Sequence, residues 1–152
     1  MTPYLIVASN WLHALATVVL IGHYSLLALI YWPALGAQAG PDVGRWLLRA
    51  GERARPYLSS AVLVFIATGT LLMLVDDQYL GLGAIDNAWS WLLIVKHVLV
   101  LGLIALAIFA DRTVLPRAAS DPAALGRYRL VVWGIALSGA LVLLLTAMMQ
   151  AE

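Results

Sequence analysis

Cysteine is absent from the chain, which excludes disulfides, thiolate metal sites and CxxC redox chemistry. Charge is scarce as well: 11% of the residues are Asp, Glu, Lys or Arg, where an ordinary soluble domain has ~25%. The N-terminus lacks both the basic start and the A-x-A-like cleavage site of a signal peptide, so the first apolar run is expected to be retained as a helix. No phosphate-binding glycine loop, HExxH zinc motif, paired carboxylates or Ser/His/Asp arrangement occurs. Hydrolytic and phosphoryl-transfer chemistry therefore have no support, and no catalytic residue is assigned.

What the chain does have is apolar length. Of its 152 residues 63% are hydrophobic, and the mean hydropathy is +0.93. No soluble fold of this size could hide so much apolar surface. A bilayer helix needs ~20 apolar residues, and four such runs fall at about 4–32, 57–75, 89–110 and 130–149. They predict an all-α fold, an integral membrane four-helix bundle forming a single transmembrane domain over 1–152. Tyr31, Trp32 and Pro33 are expected to close the first helix, with the aromatics at headgroup level. Gly134 with Ser138, Gly69 between Thr68 and Thr70, and Gly102 with Ala105 predict close helix contacts and no specific chemistry.

The arginines set the expected orientation. Arg45, Arg49, Arg53 and Arg55 lie between the first two runs, and Arg112, Arg117, Arg127 and Arg129 between the last two. The middle connection carries Asp76, Asp77 and Asp86 with no basic residue. By the positive-inside rule the arginine-rich connections are cytoplasmic and both termini lie on the outer side, as expected of a multi-pass protein of a bacterial inner membrane. Arg45, Arg49 and Arg53 recur every four residues, so 41–55 is expected to form a basic interfacial helix leading into the second span. These charges read equally as topology determinants and lipid-phosphate contacts, and nothing points to nucleic acid. A faint repeat also runs through the chain: His13 precedes Pro33 by the interval that separates Lys96 from Pro116.

Ionisable side chains inside a bilayer cost ~3 kcal/mol or more, so each is a candidate functional group. They are His13, His23, Lys96 and His97. His13 and Lys96 fall at matching depths, ~10–14 Å from the outer ends of their helices at 1.5 Å per residue. His97 points ~100° away from Lys96 around the helix, so only one of the two can face the bundle centre squarely. Met73, Met148 and Met149 add soft donors toward the same membrane face, although methionine at a helix end also serves as plain packing. His and Met favour copper, and His with His or Met are common axial ligands of haem. His23 lies ~15 Å beyond His13 and cannot share its ligand sphere. It either bonds a backbone carbonyl or Ser25 or acts as a lone axial ligand. Lys96 either snorkels outward or meets Asp86, an anionic substrate or a haem propionate.

Leu12-His13 followed by an apolar run and Gly22, then Trp32-Pro33-Ala34-Leu35, with Gly69 in the next helix, and Trp91-Leu92-Leu93-Ile94-Val95-Lys96 leading to Leu115-Pro116-Arg117, resemble the copper-resistance D (CopD) family of bacterial inner-membrane proteins. The resemblance covers nearly the whole chain. It departs from the family at Leu20, where the family has tryptophan, and at His23, where it has glycine. More distantly the chain is similar to the HemJ-type protoporphyrinogen oxidases, four-helix proteins that use a first-half His and a third-helix Lys around haem b. Their Tyr-x-Pro-Arg spacing after the histidine is missing here.

The resemblance implies copper uptake or tolerance, with His13 and Lys96 at motif positions. Read with the residues, it leads to the expectation of a copper-handling protein holding the ion through His13, His97 and Met148. A haem b electron-transfer or oxidase subunit is the alternative, with His13 as axial ligand and cofactor contacts drawn from Lys96, His97 and His23; only in that case is an enzyme, a haem-dependent oxidoreductase, expected. A third alternative is a cofactor-free accessory subunit of a larger membrane complex. The expected partners are the lipid bilayer, a metal ion or haem, and a second copy or a larger assembly.

Overall fold

The computed structural model describes residues 2–36, 42–77, 79, 81 and 88–149. Helix α1 (Pro3–Leu26) runs through a π turn (Leu27–Tyr31) into α2 (Trp32–Gly36), and α3 covers Asp42–Leu74. Helix α4 (Ala88–Phe109) runs through a second π turn (Ala110–Val114) into α5 (Leu115–Ala118), and α6 covers Pro122–Met149. Together they make four spans long and apolar enough to cross a membrane, and the described residues contain no strand. The chain is an integral membrane four-helix bundle.

Every helix outlasts the apolar run that announced it. Hydropathy marks the hydrocarbon layer, but a helix has no reason to stop at its edge while arginine stems can reach water. The stretch expected as a basic helix leading into the second span is the first part of α3, which continues without a break through Pro56. Within it Arg45, Arg49 and Arg53 are exposed while Leu47 is buried, and Arg45 pairs with Asp42 in the first turn. Arg112 and Arg117 likewise lie in helix, which leaves 119–121 as the connection to α6. There the Asp121 carboxylate accepts the Ala123 N–H at 2.8 Å, and Pro122 takes the first helical position, where its missing N–H costs nothing.

Pro33 does not close the first helix. A proline inside a helix removes one N–H and crowds the carbonyl four residues back. The chain absorbs this by widening: the Trp32 N–H reaches the Leu27 carbonyl, five residues back, and the Leu115 N–H reaches Ala110 in the same way just before Pro116. One interval of 83 residues separates Leu27 from Ala110, His13 from Lys96, and Pro33 from Pro116. The faint sequence repeat thus has a counterpart in backbone geometry.

Helix α1 packs against α3 and α6, α4 packs against α6, and α5 touches α3. The largest buried cluster sits at the arginine-rich end, where Tyr24, Leu27, Trp32, Leu47, Leu115 and Tyr128 meet. Two glycines let α3 and α5 approach: a Cβ on Gly44 would overlap the Ala118 carbonyl, and one on Gly51 would come within 2.6 Å of Leu115 Cδ2. On α6 the close contact falls at Gly139, against Ile21 at 3.0 Å, whereas Gly134 has open space around it. Toward the terminal end an apolar cleft opens, lined by Thr17, Leu20, Phe65, Val100, Leu103 and Val142 from all four spans.

Gly44→Ala should lower stability by ~1–3 kcal/mol, the usual cost of overpacking. Gly51→Ala should cost less, because the atom it meets is the end of a flexible leucine. Thermal unfolding of the two variants in detergent, followed by circular dichroism, ranks them.

Candidate functional site

Buried positions on α1 recur at Ser9, Ala16, Leu20 and Tyr24, and His13 falls on the same stripe. The half-buried ring is turned toward α3, where it stacks on Phe65 with centroids 4.4 Å apart at 26°. Its Nδ1 lies 3.0 Å from Thr68 Oγ1. The Thr68 hydroxyl donates its one hydrogen to the Val64 carbonyl at 2.6 Å. Thr68 therefore has only lone pairs to offer His13, so Nδ1 carries the imidazole proton and donates to Thr68. The Nε2 lone pair is thereby left available, as in metal-binding histidines whose other nitrogen is held by a neighbouring acceptor. Gly69 completes the setting: a Cβ there would come within 3.0 Å of His13 Cε1, so only glycine leaves the ring its place without displacement. On the α1 side, Thr17 donates to the His13 carbonyl at 2.8 Å.

The other sequence candidates separate by face. Lys96 is half-buried and shares the inward stripe of α4 with Leu92, Val100 and Leu103, whereas His97 and Val98 are exposed. Of the adjacent pair it is thus Lys96 that faces the bundle. Lys96 lies within electrostatic reach of His13 and of Asp76, which precedes the α4 span. Asp86, one of the alternatives expected for it, lies outside the described residues. His97 donates Nδ1–H to the Leu93 carbonyl at 2.7 Å on the exposed face, and it too is within electrostatic reach of His13. Met148 is 48% exposed and its neighbour Met149 is buried. The structure therefore does not gather His13, His97 and Met148 on one inward face. Among the described residues no group of three or more His, Asp or Glu side chains is placed to hold a metal ion.

His23 belongs to a different neighbourhood, near the arginine-rich end. It meets Tyr24 edge-on, with centroids 5.0 Å apart, and lies within electrostatic reach of Asp111. Sequence reasoning missed Asp111, which falls just past the end of the third apolar run, and it took Thr68 for a packing residue. The signal for Asp111 was present in the repeat, since an interval that carries the first helix past Pro33 also carries the third past Asp111 to Pro116. No such signal exists for Thr68, whose role depends on which face of α3 meets α1.

No family model, curated protein or solved structure matches the chain. The chemistry of the site is therefore argued from its geometry.

Thr68→Val removes the acceptor that holds Nδ1–H while keeping the side-chain volume. If Nε2 binds a metal centre, affinity should fall ~10–100-fold, the usual effect of losing such a partner, and Gly69→Ala should weaken binding by displacing the ring. Titration of the apo-protein with the metal or cofactor measures both.

Proposed function

We propose that the chain is a haem b-binding protein of the bacterial inner membrane, with His13 Nε2 as axial ligand in the outer half of the bilayer. The observation that carries this reading is the run of hydrogen bonds from His13 Nδ1–H to Thr68 to the Val64 carbonyl, which fixes the tautomer and presents one lone pair. A copper ion takes several donors from the protein. Haem iron already has four from the porphyrin and asks the protein for one or two. One oriented imidazole, an apolar cleft a turn further along from it and an inward lysine at its level fit the second demand better than the first.

In this reading Phe65 and Thr68 hold the imidazole plane, Lys96 supplies a positive charge for an anionic edge such as a propionate, and Leu20, Val100 and Leu103 keep water from the cleft. Haem b, when bound, supplies one-electron transfer. Copper handling is the second reading. It rests on the resemblance through Leu12-His13, Lys96 and Leu115-Pro116-Arg117, with His13 Nε2 as the oriented donor.

A visible spectrum and a metal assay on one preparation, purified from haem-replete cells, separate the readings. A Soret band that disappears in His13→Ala is the expected result. Copper bound in its absence, and lost in His13→Ala, would support the second reading, while a preparation with neither would leave a cofactor-free subunit.

The arginine distribution supports cytoplasmic connections and outer termini. Because the chain has no cysteine, single replacements report sidedness directly. In intact cells Asp77→Cys should react with a membrane-impermeant maleimide and Arg49→Cys should not; the opposite pattern would reverse the orientation.

A further inference from the structure

A second polar cluster lies at the arginine-rich end, apart from His13. The π turn Ala110–Val114 turns Asp111 into the bundle, and side chains from the other three spans converge on it. Tyr24 of α1 donates to Oδ2 at 2.8 Å, and Tyr128 of α6 meets Oδ1 at 3.4 Å. Arg55 of α3 donates at 3.5 Å to the Asp111 backbone carbonyl, and its Nε is buried without a partner. His23, edge-on to Tyr24, completes the group of titratable and charged side chains facing Asp111; on its own span Arg112 is exposed.

A carboxylate serving only to tie helices together would be expected to take the guanidinium beside it as its ion-pair partner, because a charge drawn out of water is expensive without one. Arg55 instead engages the main chain, and the carboxyl is left to two phenols. A tyrosine hydroxyl can donate or accept. With the carboxyl ionised, both hydroxyls donate to it. With a proton on Oδ1, the new O–H can donate to the Tyr128 oxygen once that hydroxyl rotates, while Tyr24 still donates to Oδ2. The same side-chain positions therefore accommodate both states.

We infer that Asp111, Tyr24, Tyr128 and His23 form a proton-binding site at the arginine-rich end of the bundle, distinct from the His13 site. In the loading step a proton leaves water at that face and forms an O–H bond to Asp111 Oδ1; in release the bond breaks and the proton returns to water, with His23 within electrostatic reach of the carboxyl in both states. No electrons move.

The test is pH-difference infrared spectroscopy on the full chain in lipid nanodiscs. The wild type should show a carboxylic acid C=O band that is missing in Asp111→Asn and displaced to higher frequency in Tyr24→Phe, where the acid loses a donor. Identical C=O bands in the wild type and Asp111→Asn would overturn the inference. If Asp111→Asn does not fold, Tyr24→Phe and Tyr128→Phe decide: a displaced band in either supports the site, and unmoved bands in both reject it.

Discussion

A polar group turned away from water has to be satisfied within the protein, and this holds for the Nδ1–H of His13, the carboxyl of Asp111 and the carbonyls left without an N–H ahead of Pro33 and Pro116. That requirement accounts for much of the difference between this bundle and four plain apolar helices. Each proline is accommodated by a π turn in which the preceding residue reaches five positions back. Two polar side chains turned inward meet neighbouring spans: His13 finds Thr68 on α3, and Asp111 finds Tyr24 on α1 and Tyr128 on α6.

The two π turns also shape the surroundings. A π turn adds a residue to one turn of helix and shifts the register of the residues beyond it, and such turns recur where helices carry functional groups. In the third span the shift helps Asp111 face inward beside the fully buried Ala110, and it brings Leu115 and Ala118 against Gly51 and Gly44. The spans are thereby drawn together at the arginine-rich end. Toward the other end the cleft between Phe65 and Val100 lies beside the level of His13 and Lys96. The two polar centres therefore differ in character: one lies a turn from an apolar cleft, and the other is enclosed by side chains that already bond to it.

Much of this architecture was legible in the chain. Four apolar runs, an arginine-free acidic connection and arginines confined to two stretches determine a four-helix membrane bundle, because hydrocarbon thickness and the cost of burying charge act on composition alone. His13 and Lys96 stood out for the same reason. The helix ends were less legible: the run past Pro33 and Pro116 is set by backbone hydrogen bonding at the membrane edge, where hydropathy has no sharp signal.

Only the tertiary structure decided which of Lys96 and His97 faces the bundle, that Met148 is exposed, and that His23 stands near Asp111. Neighbours in sequence are separated by 100° around a helix, so their roles depend on how each helix is rotated against its partners. That rotation is fixed by contacts such as Gly69 against His13, Gly44 against Ala118 and Gly139 against Ile21. The sequence by itself determined that polar groups lie inside the membrane; the packing of small residues between helices determined which of them meet.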